Sequence, residues 1–144
     1  MRFYQGQFTA SVADFSKAAQ FASPSLYRIR ILLLYIAQAR SGNNAQDDLS
    51  KATKGFNLEE WPGPVVSMYL GKAPKRTVFD AAVDIDPKKQ CEKQCQAYFY
   101  VGQQLLIREN RDGATKMFRD AVATNASALF EYEGSRAELK RLGN

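Results

Sequence analysis

Cys91 and Cys95 are the two thiols of a 144-residue chain that contains no histidine. Four residues apart, they share one face of any helix that carries them. A bond between them is awkward, because Cβ vectors one turn apart run parallel and the Cα separation approaches the limit for a disulfide. They read either as buried free thiols behaving as small hydrophobes, or as one end of a bond to a residue outside these 144. Their spacing is not that of the Cys-x-x-Cys redox motif, and two thiolates without histidine make a poor zinc site. The missing imidazole also removes serine triads, cysteine–histidine dyads and most transition-metal sites.

The carboxylates offer little more. Glu59-Glu60, Asp84 with Asp86, and Glu131 with Glu133 are adjacent or alternate acids of the kind that mark solvated turns and helix starts. Gly71-Lys72 lacks the glycine-rich loop and hydroxyl residue of a phosphate cradle. Two basic clusters, Lys72, Lys75 and Arg76, then Lys88, Lys89 and Lys93, could reach phosphates or could be solvated faces. The residues therefore predict no catalytic group, no metal and no cofactor.

A chain of this length with 45% hydrophobic residues suffices for one domain with a continuous core. Its 20 basic against 15 acidic residues give a net charge of +5, with Arg2, Lys17, Arg28, Arg30 and Arg40 facing only Asp14 before residue 41. Such a surplus favours acidic partners without specifying one. Ile29–Ile36 is too short for a membrane span, where roughly 20 apolar residues are needed. Met1-Arg2-Phe3-Tyr4 carries no secretory signal, so the chain reads as cytosolic or as having lost a leader.

Helical periodicity runs almost throughout, and the predicted fold is all-α. Ala10, Val12, Phe15, Ala18 and Phe21 form a stripe that stops at Ser23-Pro24. A helix around Tyr27–Gln38 follows, closed by Ser41-Gly42, and Asn43 or Asn44 caps a short one to about Thr53. Trp61-Pro62-Gly63-Pro64 opens another, which Gly71 closes. Further helices are predicted over Pro74–Val83, from Pro87 under an Asp86 cap to about Arg108, after Asn110, and after Ser127 to Leu142-Gly143. About eight short helices on short links suit a solenoid better than a four-helix bundle.

Internal similarity strengthens that reading, because a repeat buries its apolar face only against copies of itself. Ser11, Phe15 and Ala18 stand 103 residues before Ala114, Phe118 and Ala121, close to three periods of ~34 residues. Ile31 and Leu34 stand 67 before Tyr98 and Val101, close to two. Tyr98, Val101-Gly102, Leu105, Ala114, Phe118 and Ala121 fall at the spacings of the tetratricopeptide repeat family, which the chain resembles. In that pattern Gly102 and the alanines let two helices approach while Tyr98 and Phe118 fill the space between layers.

The middle repeats depart from the pattern. Tyr35 stands where the first helix's glycine belongs, and Lys51 where the second helix's aromatic belongs. Phe3, Tyr4, Gly6 and Phe8 resemble only the end of a first helix, so the first repeat of the single domain over 1–144 reads as truncated. Trp61-Pro62-Gly63-Pro64, Tyr69-Leu70-Gly71-Lys72 and the ending Glu131-Tyr132 with Ala137–Leu142 are similar to bacterial envelope lipoproteins with these repeats, which act as scaffolds. The resemblance implies a right-handed superhelix of antiparallel helix pairs with a C-terminal capping helix, and a periplasmic setting.

It also implies a partner surface, since stacked first helices line a concave side. The residues at those positions are Gln96, Phe99, Gln103 and Leu106 in the last full repeat, and Leu32 and Arg40 in the second. Phe99 and Leu32 would be apolar anchors for a protein or peptide, with Arg40 and the glutamines setting orientation. The same residues could instead pack on a neighbouring helix or a second copy of the chain. The expected function is thus a protein-interaction scaffold; a self-associating module and a basic binder of nucleic acid or anionic lipid are the alternatives.

Overall fold

A computed structural model describes residues 24–143, with side chains from Tyr27 onward. The stripe at Ala10–Phe21 and the truncated repeat around Phe3–Phe8 lie outside the described residues. Among those described, the secondary structure is entirely helical: α1 (Pro24–Arg40), α2 (Gln46–Ala52), α3 (Gly63–Tyr69), α4 (Lys75–Ala81), α5 (Pro87–Ile107), α6 (Arg111–Ala123) and α7 (Phe130–Arg141). None is long and apolar enough to cross a membrane. The chain divides into two compact units, one up to Lys72 and one from Ala73.

Local chemistry sets the helix ends. Gly42 at φ 87° closes α1, where the Gly42 amide reaches Ala39 O at 3.1 Å and the Asn43 amide reaches Gln38 O at 3.1 Å. This paired arrangement needs the left-handed conformation that glycine adopts without penalty. The second helix begins one residue later than an Asn44 cap would place it. Its flanking residue is Ala45, although Asn44 Oδ1 still accepts from the Gln46 amide at 3.2 Å.

Asp86 and Asn110 cap as their types dictate, accepting from the Lys88 and Gly113 amides at 2.9 Å each. Glu109 occupies the left-handed position after α5 at φ 63°, with the Asn110 amide returning to Leu105 O at 2.8 Å. A side chain is disfavoured there, so Glu109→Gly is expected to raise stability by about 1 kcal/mol, read as a higher urea midpoint.

In the unit ending at Lys72, Leu32, Ile36, Val65 and Tyr69 are fully buried. Tyr35, in the place of the pattern's glycine, stacks on Tyr69 with ring centroids 4.8 Å apart. An aromatic is accommodated because the surface it meets is another ring, on which it can stack. Tyr69 O accepts from Gln46 Nε2 at 3.1 Å, which ties α2 to the end of α3. Arg28 lies over the Phe56 ring at 5.2 Å and 3.8 Å from Glu60.

In the unit from Ala73, α5 and α6 run antiparallel, since Cys91 near the start of α5 meets Thr124 at the end of α6 while Gly102 faces Phe118 midway. A Cβ on Gly102 would come within 2.7 Å of the Phe118 ring, so the two helices pack at a distance only glycine allows. The Phe79 ring of α4 lies 5.3 Å from that of Tyr98.

The connection from α4 to α5 is tightly bonded. Asp84 Oδ1 accepts from the Asp86 amide at 2.9 Å, and the Asp84 amide donates to Gln90 Oε1 at 3.2 Å. Lys93 Nζ donates to Val83 O at 3.3 Å and to Asp84 Oδ2 at 3.0 Å. The Asp86 amide first, then the Lys93 side chain, hold the Asp84 carboxyl below its ordinary value.

Candidate protein-interaction site

The long helix α5 brings Gln96, Phe99, Gln103 and Leu106 together on one side, as the spacing of 3, 4 and 3 residues requires. Gln96 and Leu106 are half-buried. Phe99 and Gln103 are completely buried, and α7 is the reason. The Phe99 ring contacts Tyr100, Phe118 and Phe130, with centroids at 5.1, 6.2 and 6.2 Å. Gln103 Nε2 donates to Glu138 Oε2 at 2.6 Å. In this arrangement the two residues expected to face a partner face the chain's own last helix. Leu32 is likewise fully buried within α1, and Arg40, at the end of α1, is half-buried, burial pulling its guanidinium down to about 10.

The helix α7 is seated by polar groups. Its buried residues are Glu131, Gly134, Ser135 and Glu138, and Phe130 is half-buried. The Tyr100 hydroxyl donates to Glu131 Oε2 at 2.8 Å, with the Gln96 side chain a second partner. Ser135 Oγ donates to Glu131 O at 2.8 Å, and Arg141 pairs with Glu138 on the same helix. A hydrogen bond to a charged group nets about 1.5–3 kcal/mol but is opposed by the desolvation of the buried carboxyl, whereas a buried large apolar side chain contributes about 1.5–3 kcal/mol with no such opposition. The α6 helix, which buries Ala114, Phe118 and Ala121, is therefore held more firmly than α7.

These contacts also give α7 its direction. Tyr100 meets Glu131 and, three residues on, Gln103 meets Glu138, so α7 runs parallel to α5, on which it packs together with α6. Partners along the two helices are 31 and 35 residues apart. No protein-family model and no solved structure matches the chain.

The reading of Glu131 with Glu133 as solvated helix-start acids needs correction for one of them. Glu133 is exposed and pairs with Arg136 at 3.5 Å, but Glu131 is 3% exposed. Burial raises its carboxyl above the ordinary 4.5, against the Tyr100, backbone and Gln96 bonds that lower it. The signal that could have found it is Glu131, Ser135 and Glu138 at i, i+4 and i+7, a polar stripe on one helix face.

A raised folded-state value has a definite sign. The folded protein holds this proton more tightly than the unfolded chain, so the stability associated with it is complete below the unfolded value of about 4.5. That contribution is lost as pH rises through the folded value. Asp84, whose carboxyl is lowered, acts oppositely. Glu131→Gln is expected to be more stable than the parent at pH 8, with the difference shrinking toward pH 4. Urea midpoints of both proteins across that range measure it, and a pH-independent difference would refute the assignment.

Cys91 is half-buried and Cys95 buried, both as free thiols. Cys91 Sγ donates to Thr124 O at 3.0 Å. Burial foremost pushes the Cys95 thiol up to about 11, which leaves it inert near neutral pH. Cys91 borders an open cleft of about 370 Å³ between the start of α5 and residues 125–129. Among the described residues no group of three or more Cys, Asp or Glu is placed to hold a metal ion. Lys88 and Lys89 are exposed, but Lys93 is joined to Asp84 and does not extend a free basic patch.

Proposed function

We propose that this chain is a protein-interaction scaffold built from tetratricopeptide-like helix pairs, which binds a protein or peptide partner and has no catalytic role. The observation that carries the reading is the relation of α7 to α5. The antiparallel pair α5–α6 closes on Gly102 and Phe118, and α7 then lies along α5 in the same direction at a mean offset near the ~34-residue repeat. This is where the first helix of a following repeat would lie. A stack of such pairs, continued as a right-handed superhelix, leaves an extended face whose function is recognition. A bacterial envelope setting, as for the scaffold lipoproteins that the sequence resembles, belongs to the same proposal.

The test uses the tagged full chain in its own cells, with crosslinking to map partner contacts. The variant is Leu106→Glu, chosen because Leu106 is half-buried and tolerates a change that Phe99 would not. The expected result is one partner crosslinked to α5 in the parent and lost in the variant, with the helical circular dichroism of both unchanged. An identical set of partners in both, or crosslinks confined to residues away from α5, would count against this surface.

A further inference from the structure

We propose that α7 is a resident occupant of the α5–α6 groove, and that opening it admits a partner helix carrying the same polar stripe. This rests on the scaffold reading and names its partner class: a helix with two acidic residues seven apart, small residues between them, and an arginine three beyond the second. That pattern is Glu131, Gly134-Ser135, Glu138 and Arg141 in α7 itself.

The groove is specific about its occupant. It offers a Tyr100 hydroxyl and a Gln96 side chain to one carboxylate, and to the other the Gln103 amide, about two helical turns beyond Gln96. Glu131 and Glu138 satisfy them in register. The Phe99 ring lies at the floor, edge-on to Phe130. Ser135 is fully buried and Gly134 is buried beside it, so a bulky side chain at either position has no solvent to turn into. These contacts are joined by one half-buried aromatic, Phe130, and α7 has no fully buried large apolar side chain. A second helix with the same groups makes the same contacts, at an apparent affinity reduced by the fraction of time the groove is open.

Two measurements decide this. Native-state amide hydrogen exchange on the full chain is expected to show α7 exchanging at least tenfold faster than the centres of α5 and α6. Exchange of all three helices in one common opening would overturn the proposal. In the second, a fluorescent peptide of residues 128–144 is titrated against the full chain and its Ser135→Leu variant, in which α7 no longer fits. The variant is expected to bind it at least tenfold more tightly than the parent, and a Glu131→Lys, Glu138→Lys peptide is expected not to bind.

Equal binding of both peptides, no binding by a variant whose α5 and α6 amides remain protected, or global unfolding of the variant would each overturn it. A parent dimer with α7 of one copy crosslinked to α5 of the other would replace the foreign helix by exchange between copies. A partner captured through Leu106 with α7 still closed would leave the scaffold standing and sink only the occupant.

Discussion

Phe99→Ala is expected to lower the stability of the Ala73–Asn144 unit by about 3–5 kcal/mol, the range for deleting a fully buried aromatic. Phe99 has no exposed surface and touches three other rings. Those neighbours have little freedom to collapse into the space. Tyr100 is anchored by its hydroxyl to Glu131, and Phe118 is wedged against Gly102. The lost transfer energy and the residual cavity therefore add. Chemical denaturation followed by circular dichroism measures the loss, and a change below about 1 kcal/mol would place Phe99 at a surface after all. Substituting Phe99 consequently cannot serve as a binding test that leaves the fold intact.

Gly63→Ala is expected to cost about 3 kcal/mol, at the upper end for overpacking. Its added methyl would land on the backbone of Leu58, and a peptide group cannot rotate away as a side chain can. Gly42→Ala provides the contrast. Nothing lies within 4 Å of a Cβ there, so its penalty is that of the positive φ alone, about 1–2 kcal/mol. If both variants shift the urea midpoint equally, the steric account of Gly63 is wrong.

The local grammar of the chain was legible. Gly42 and Gly71 punctuate the helices by adopting a positive φ, and Asp86 and Asn110 by accepting from free end amides. The placement of Phe99 and Gln103 on one face of α5 was equally available from their spacing. What covers that face was not, because coverage is a tertiary fact. Glu131 and Glu138 look like solvent-facing acids until Tyr100 and Gln103 stand opposite them, and those lie 31 and 35 residues away in the chain. Tyr35 shows the converse. A large ring in place of a spacing glycine disagrees with the repeat pattern, yet it stacks on Tyr69, 34 residues further on, within the same unit.

The connection between α4 and α5 has a consequence for anyone inserting sequence into this protein. Ile85 and Asp86 are exposed, which ordinarily marks a place where a tag or reporter can be spliced in. Here two aspartates each receive the amide two residues ahead, and Lys93 reaches back to fasten Val83 and Asp84. The segment behaves as a splint of fixed length. One residue added between Ile85 and Asp86 would throw the Asp84–Asp86 bond and both Lys93 bonds out of step, so this is a surface site that resists lengthening.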